Sequence, residues 1–160
     1  MTANKDFNQI FEELHYLQNC KLSLAIIFDL FARKIEIDKD IWREASVEEV
    51  CQARWIGRLT SLLAFDNSAI YRERIKISGM KLFNDDLNYY TEMANHGQLS
   101  VREMLVMALK YEQLDIIRNP FSAIVLDSPE FDQINTRFAA EAENHALAIQ
   151  NHIRLRLSEL

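Results

Sequence analysis

The stretch S-V-R-E-M-L-V-M-A-L-K-Y-E, residues 100–112, together with F-A-A-E-A-E-N-H-A-L-A-I, residues 138–149, decides how this chain folds. Ser100 and Glu103 spell a capping box, in which a hydroxyl and a carboxylate satisfy the free N–H groups at a helix start. Val101, Leu105, Ala108 and Glu112 then recur in steps of three and four, the spacing of one helical face. The second stretch repeats the pattern through Phe138, Ala142, His145 and Ile149. In each helix a polar group, Glu112 or His145, stands on a stripe that is otherwise apolar.

Outward from this pair, the helix of Ser100 carries on through Ile116 until Pro120 kinks or ends it, because proline removes a helical donor and clashes with the preceding turn. Ser128 followed by Pro129 is a start signal for the last helix, whose full stripe reads Phe131, Ile134, Phe138, Ala142, His145, Ile149 and His152. The N-terminal half shows the same organisation. A first helix is expected from about Asp6 to Lys34, with Ile10, Leu14, Leu17, Leu24, Ile27, Phe28 and Phe31 on its apolar face. Ile35 to Lys39 turns the chain, and Asp38 or Asp40 is placed to cap the next helix.

That second helix aligns Trp42, Ala45, Glu49, Gln52, Ile56, Leu59 and Leu63. Ser46 and Glu49 also spell a capping box, but the stripe passes through them without changing phase, which favours one continuous helix. Between the pairs, residues from about Asp66 to Leu99 form a connection punctuated by Gly79 and Gly97, with short helices expected near Ile70–Ile77 and Leu82–Ala94. The reading is all-α: hairpin 1 over about 6–65, a crossover over 66–99, and hairpin 2 over about 100–158. A crossover this long lets the second and third helices run parallel, the ferritin-like version of a four-helix bundle.

Composition agrees. The 160 residues suit one domain, and only three glycines and two prolines interrupt the helical pattern. A net charge of −6 argues against a nucleic-acid partner, since neutralising phosphates takes a clustered basic excess. Arg72, Arg74 and Lys76 are broken by Glu73 and read as a solvated face. Cys20 and Cys51 are too few for a disulfide framework, the N-terminus lacks the pattern of a secretory signal, and no apolar run reaches the ~20 residues of a membrane span. A reduced, cytoplasmic setting follows, with no membrane partner. An exposed apolar helix face would pair two copies, so a homo-oligomer, a dimer first, is expected.

Superposing the hairpins places Cys20 opposite Glu112, Glu49 opposite Ala142, and Gln52 opposite His145. The separations nearly match: 29 residues from Cys20 to Glu49, and 30 from Glu112 to Ala142. With these positions, and with L-S-V-R-E at 99–103 and A-E-A-E-N-H at 140–145, the chain resembles the rubrerythrin and ferritin-like di-iron carboxylate family. The resemblance implies a glutamate from the first helix of each hairpin and a Glu-x-x-His pair from the second, six ligands around two irons. Glu112, Glu49 and His145 match that pattern. Cys20 stands where a glutamate is expected, Gln52 where a histidine is, and Ala142 where a further glutamate is.

Half the ligand set is therefore replaced. Two iron ions ~3.5–4 Å apart need several anionic ligands to offset their repulsion, and Glu49 with Glu112 supply two. The expected site is degenerate: at most one divalent ion, iron, manganese or zinc, held by Glu49, Glu112 and His145, with Gln52 and Cys20 beside them. The resemblance then implies residual redox or peroxide chemistry. The alternative is a metal-free, hydrogen-bonded polar layer in a non-enzymatic bundle that acts in assembly or protein interaction. A third reading is a small-molecule site in the space vacated at Gln52 and Ala142. No phosphate loop or nucleophile elbow points to other catalysis. Glu141, Glu12 with His15, and the tyrosines Tyr89, Tyr90 and Tyr111 read as surface or packing residues.

Overall fold

A computed structural model describes residues 3–65, 70–71, 77–118, 120–125 and 129–160. The described chain is helical almost throughout. Helix α1 spans Ala3–Lys34 and α2 spans Lys39–Phe65, joined by a short 3-10 turn at Glu36–Asp38. Helices α3 (Ile77–Asn95), α4 (Val101–Glu112), α5 (Asp115–Arg118) and α6 (Pro129–Glu159) follow. Ile70–Tyr71 (β1) pairs antiparallel with Ile124–Val125 (β2), Ile70 opposite Val125. Helix α1 packs along α2 and α3, α4 packs along α6, and α6 also meets α2. Among the described residues no helix is long and apolar enough to cross a membrane.

The apolar stripes become the core. Phe28, Phe31 and Trp42 are fully buried where α1 meets the start of α2, with both phenylalanine rings 5.4 Å from the indole. Burying aromatic rings of this size removes more apolar surface from water per residue than any aliphatic pair. Helix α2 is continuous through Ser46. Its hydroxyl donates to the Ala25 carbonyl of α1 at 2.8 Å and ties the hairpin together instead of capping a helix start. The box at Ser100 forms as expected: its hydroxyl accepts from the Glu103 N–H, and the Glu103 carboxylate accepts from the Ser100 N–H at 2.8 Å.

Four expectations change. The connection between the hairpins holds one 19-residue helix, α3, that contains Leu82–Ala94; Ile70 and Tyr71, expected in a helix, lie in β1, and 72–76 fall outside the described residues. Helix α3 ends on Gly97 at φ +69, with Gln98 N–H donating to the Met93 carbonyl and Gly97 N–H to that of Ala94. This is the Schellman arrangement, in which a left-handed glycine lets the last carbonyls find donors.

The helix expected to reach Pro120 stops at Glu112, and a single turn, α5, follows before Pro120. Buried side chains from other helices take carbonyls in this stretch: Gln150 Nε2 donates to Glu112 O at 2.8 Å, and Lys21 Nζ to Ile117 O at 2.9 Å. Donors arriving from outside the helix make the break affordable.

Asp38 caps no helix. It is buried and accepts from His152 Nε2 at 3.1 Å and Arg156 Nε at 3.0 Å, clamping the end of α6 to the first turn region. Ile134 is exposed, and Asn135 is buried in its stead. Asn135 Nδ2 donates to Phe121 O at 3.0 Å while its Oδ1 accepts from Trp55 Nε1 at 3.3 Å, so a polar side chain is fully used at a core position.

Candidate metal centre

Helices α1, α2, α4 and α6 each send a polar side chain into one buried layer. Glu49 (α2) and Glu112 (α4) are both 1 % exposed and His145 (α6) is 13 % exposed. One ligand atom from each lies within 4.8 Å of the others, and His145 Nε2 is 3.9 Å from Glu49 Oε1. The fourth member is Lys21 of α1, completely buried, with Nζ 2.9 Å from Glu49 Oε2. Gln52, one turn along α2 from Glu49, is buried as well.

Cys20 does not join the cluster. Its thiol is turned toward α3 and donates to the Met80 carbonyl at 3.4 Å, and burial pushes its pKa up to about 12, so no thiolate is offered to a metal. Successive helical positions are ~100° apart, and the one-residue difference from Lys21 is the difference between facing α3 and facing the layer. The residue that does face it was legible: Leu14, Leu17, Lys21, Leu24, Phe28 and Phe31 alternate steps of three and four without a gap. A lysine at such a place looks like an interruption of the core until an anion is set against it.

Electrostatics follow from burial. The carboxyls of Glu49 and Glu112 are both held above the ordinary range, chiefly because a charge in the interior loses its hydration, with Lys21 pulling back in each case. Glu112 is pushed up to about 8, its rise reinforced by the Glu49 charge. The Lys21 ammonium stands against Glu49, so of the two carboxyls Glu49 is the better compensated as an anion and Glu112 the one that holds a proton more readily. His145 falls to about 4, first through burial and then through repulsion by Lys21, so its imidazole is neutral and can act as a ligand. The protein alone thus sets a lysine–glutamate ion pair beside a carboxyl of raised pKa and a neutral imidazole.

Four buried atoms of this layer have no hydrogen-bond partner among the described residues: Glu112 Oε1, Gln52 Oε1, His145 Nε2 and Glu49 Oε2, the last meeting Lys21 only as an ion pair. Each can offer a lone pair, and unsatisfied acceptors converging in a core are costly unless something electropositive meets them. Two carboxylates and one imidazole form a hard-to-borderline donor set that suits zinc, manganese or iron. Ligands ~2.1 Å from one ion in tetrahedral geometry lie about 3.4 Å from one another, so the triad, whose atoms lie within 4.8 Å, has to contract by roughly 1 Å at its widest. The residues present fit one divalent cation.

The remaining candidates sit elsewhere. Ala142 is buried, so packing occupies the place where a further carboxylate was expected. Glu141 is exposed and pairs with Arg137 at 2.8 Å; Glu12 and His15 are exposed on α1. His96 bonds the Glu92 carbonyl at the end of α3. Tyr111 is buried against Phe83, ring centres 4.9 Å apart, and bonds Asp86, a packing role. Compared with protein families, curated proteins and solved structures, the chain matches none.

Proposed function

We propose that this chain is a metal-binding helical bundle, ferritin-like and related to rubrerythrins, whose degenerate centre holds one divalent ion on Glu49, Glu112 and His145. The convergence of these three donors in the core, each with an atom that lacks a hydrogen-bond partner among the described residues, carries the reading. Lys21 explains why one ion and not two: its ammonium already claims one oxygen of Glu49 and adds a positive charge to the layer. A metal-bound water or hydroxide would complete the shell, and an ion able to change oxidation state would bring redox chemistry to the site.

The same lysine favours the second reading. Lys21 and Glu49 neutralise each other without a metal, and a layer so balanced can serve only to fix helix register in a bundle used for assembly. Metal analysis of protein purified without chelator separates the two, followed by titration of the stripped protein with Co²⁺ while its visible spectrum is recorded. One ion per chain and a spectrum that vanishes in Glu112→Ala and His145→Ala support the centre. Substoichiometric metal, with no spectral change up to millimolar Co²⁺, sinks it.

A further inference from the structure

Away from the buried layer, an open groove of about 930 Å³ lies between α2 and the first turns of α6, with Gln18 of α1 at its edge. Its apolar wall is mostly aromatic. Trp55 and Phe138 stack with ring centres 5.0 Å apart and planes within 5°, and Phe131 and Ile134 continue the surface along α6. The bond from Trp55 Nε1 to Asn135 fixes the indole in place, so this wall exists before any ligand arrives. The space is that of small-ligand sites, ~300–1,000 Å³ and mainly apolar with a few placed polar groups.

Those polar groups are donors. Arg54 and Arg58 are exposed one helical turn apart on α2 and line the groove, and neither has a carboxylate partner among the described residues. Arg33, Lys110 and Arg137, on other surfaces, are each paired with an acid. Gly57, between the two arginines, has no side chain to push away the Gln18 amide; a Cβ there would stand 2.7 Å from Gln18 Nε2. Among the described residues no aspartate or glutamate lines the groove, although the chain carries six more acids than bases. Two arginines one turn apart on α2, lining the same groove as an aromatic wall, match a planar carboxylate joined to a flat apolar body.

We propose that this groove is a binding site for an amphipathic aryl carboxylate, its ring on Phe131, Ile134 and Phe138 and its carboxylate on Arg54 and Arg58. The site is independent of the metal reading and lies apart from Ala142, which is closed in the core.

Calorimetry with 2-naphthoate tests it, with neutral 2-naphthamide and the surface variant Arg54→Gln/Arg58→Gln as controls. One naphthoate per chain is expected, with affinity roughly tenfold or more lower for the amide and for the double variant. Bound naphthoate should also slow alkylation of Cys51, an exposed thiol in the groove, while buried Cys20 stays unreactive. Ile134→Glu should block binding without unfolding the chain, because that side chain is exposed. No heat and no protection of Cys51 at millimolar naphthoate would overturn the proposal. So would equal binding of the amide, or a dimer that Ile134→Glu dissociates, since the groove would then be covered by a second copy.

Discussion

Replacing Lys21 by methionine removes the ammonium set against Glu49 while keeping nearly all of the apolar stem. The ammonium is fully buried, 2.9 Å from Glu49 Oε2 and 2.9 Å from the Ile117 carbonyl. Two losses follow. Glu49 is left as a buried, uncompensated carboxylate or must take up a proton, and the Ile117 carbonyl loses its donor. Removing one partner of a buried ion pair costs about 3–5 kcal/mol, because the other charge stays desolvated. For a chain of this size that lowers the melting temperature by roughly 10 °C.

The cost should depend on pH in a defined direction. Burial already raises the Glu49 carboxyl, and losing Lys21 raises it further, so folded Lys21→Met binds a proton that its unfolded chain releases. Its deficit therefore grows as pH rises and shrinks on acidification. Lys21→Met/Glu49→Met removes both charges and should recover most of the loss. Urea unfolding followed by circular dichroism, in chelator at pH 6 and pH 8, completes the cycle. The reasoning fails if the single variant costs under about 1 kcal/mol, or if the double variant is no more stable than the single.

Four shorter expectations accompany it. Glu112 at about 8 in the fold, against 4.5 unfolded, means the native state holds the extra proton between those values, so stability falls as pH rises; His145 at about 4, against 6.5, acts oppositely and only below 6.5. From pH 6.5 to 8 the His145 effect is spent and the raised carboxyls act in one direction, Glu112 with a limiting slope of about −1.4 kcal/mol per pH unit. Chelator-treated protein should melt lower at pH 8 than at pH 6.5, and Glu112→Gln should flatten the difference. Asp38→Ala strips the acceptor from His152 and Arg156 and should cost about 2 kcal/mol, seen as faster amide exchange in the last two turns of α6. Gly97→Ala meets no atoms but forces a side chain into φ +69, for a loss of about 1 kcal/mol in chemical denaturation. Ser100→Ala should lose a similar ~1 kcal/mol with the α4 cap, read as local fraying by exchange.

Periodicity made the helices legible. Uninterrupted three-four stripes specified α1 and α2, and the Ser100–Glu103 box and Pro129 marked two starts. Periodicity also brought Glu49, Glu112, His145 and Gln52 inward, because a polar residue on an unbroken apolar stripe has nowhere else to point. What was hidden depends on partners far along the chain. The break after Glu112 is stabilised by Gln150 and Lys21, 38 and 96 residues from the carbonyls they serve, and no local signal announces either bond. Asn135 replaced Ile134 for a related reason: its two hydrogen bonds reach Trp55 and Phe121, and a propensity argument sees only a polar residue beside an apolar one.

Lys21 is the instructive case, since its position was readable and its role was not. Hydrophobic spacing places a residue on a face but assigns it no charge partner. A lysine at a core position implies a buried acid, and two acids, Glu49 and Glu112, already stood on neighbouring stripes needing compensation. Counting charge across stripes, rather than along each one, pairs them: two potential anions, one ammonium and one neutral imidazole leave the layer one positive charge short of neutrality if both acids ionise. The fold supplies the difference with a proton on Glu112, and a divalent ion that displaces this proton would meet both carboxylates charged. Metal binding at this centre should therefore release close to one proton per ion at pH 7, measurable as a buffer-dependent heat of binding and absent in Glu112→Ala.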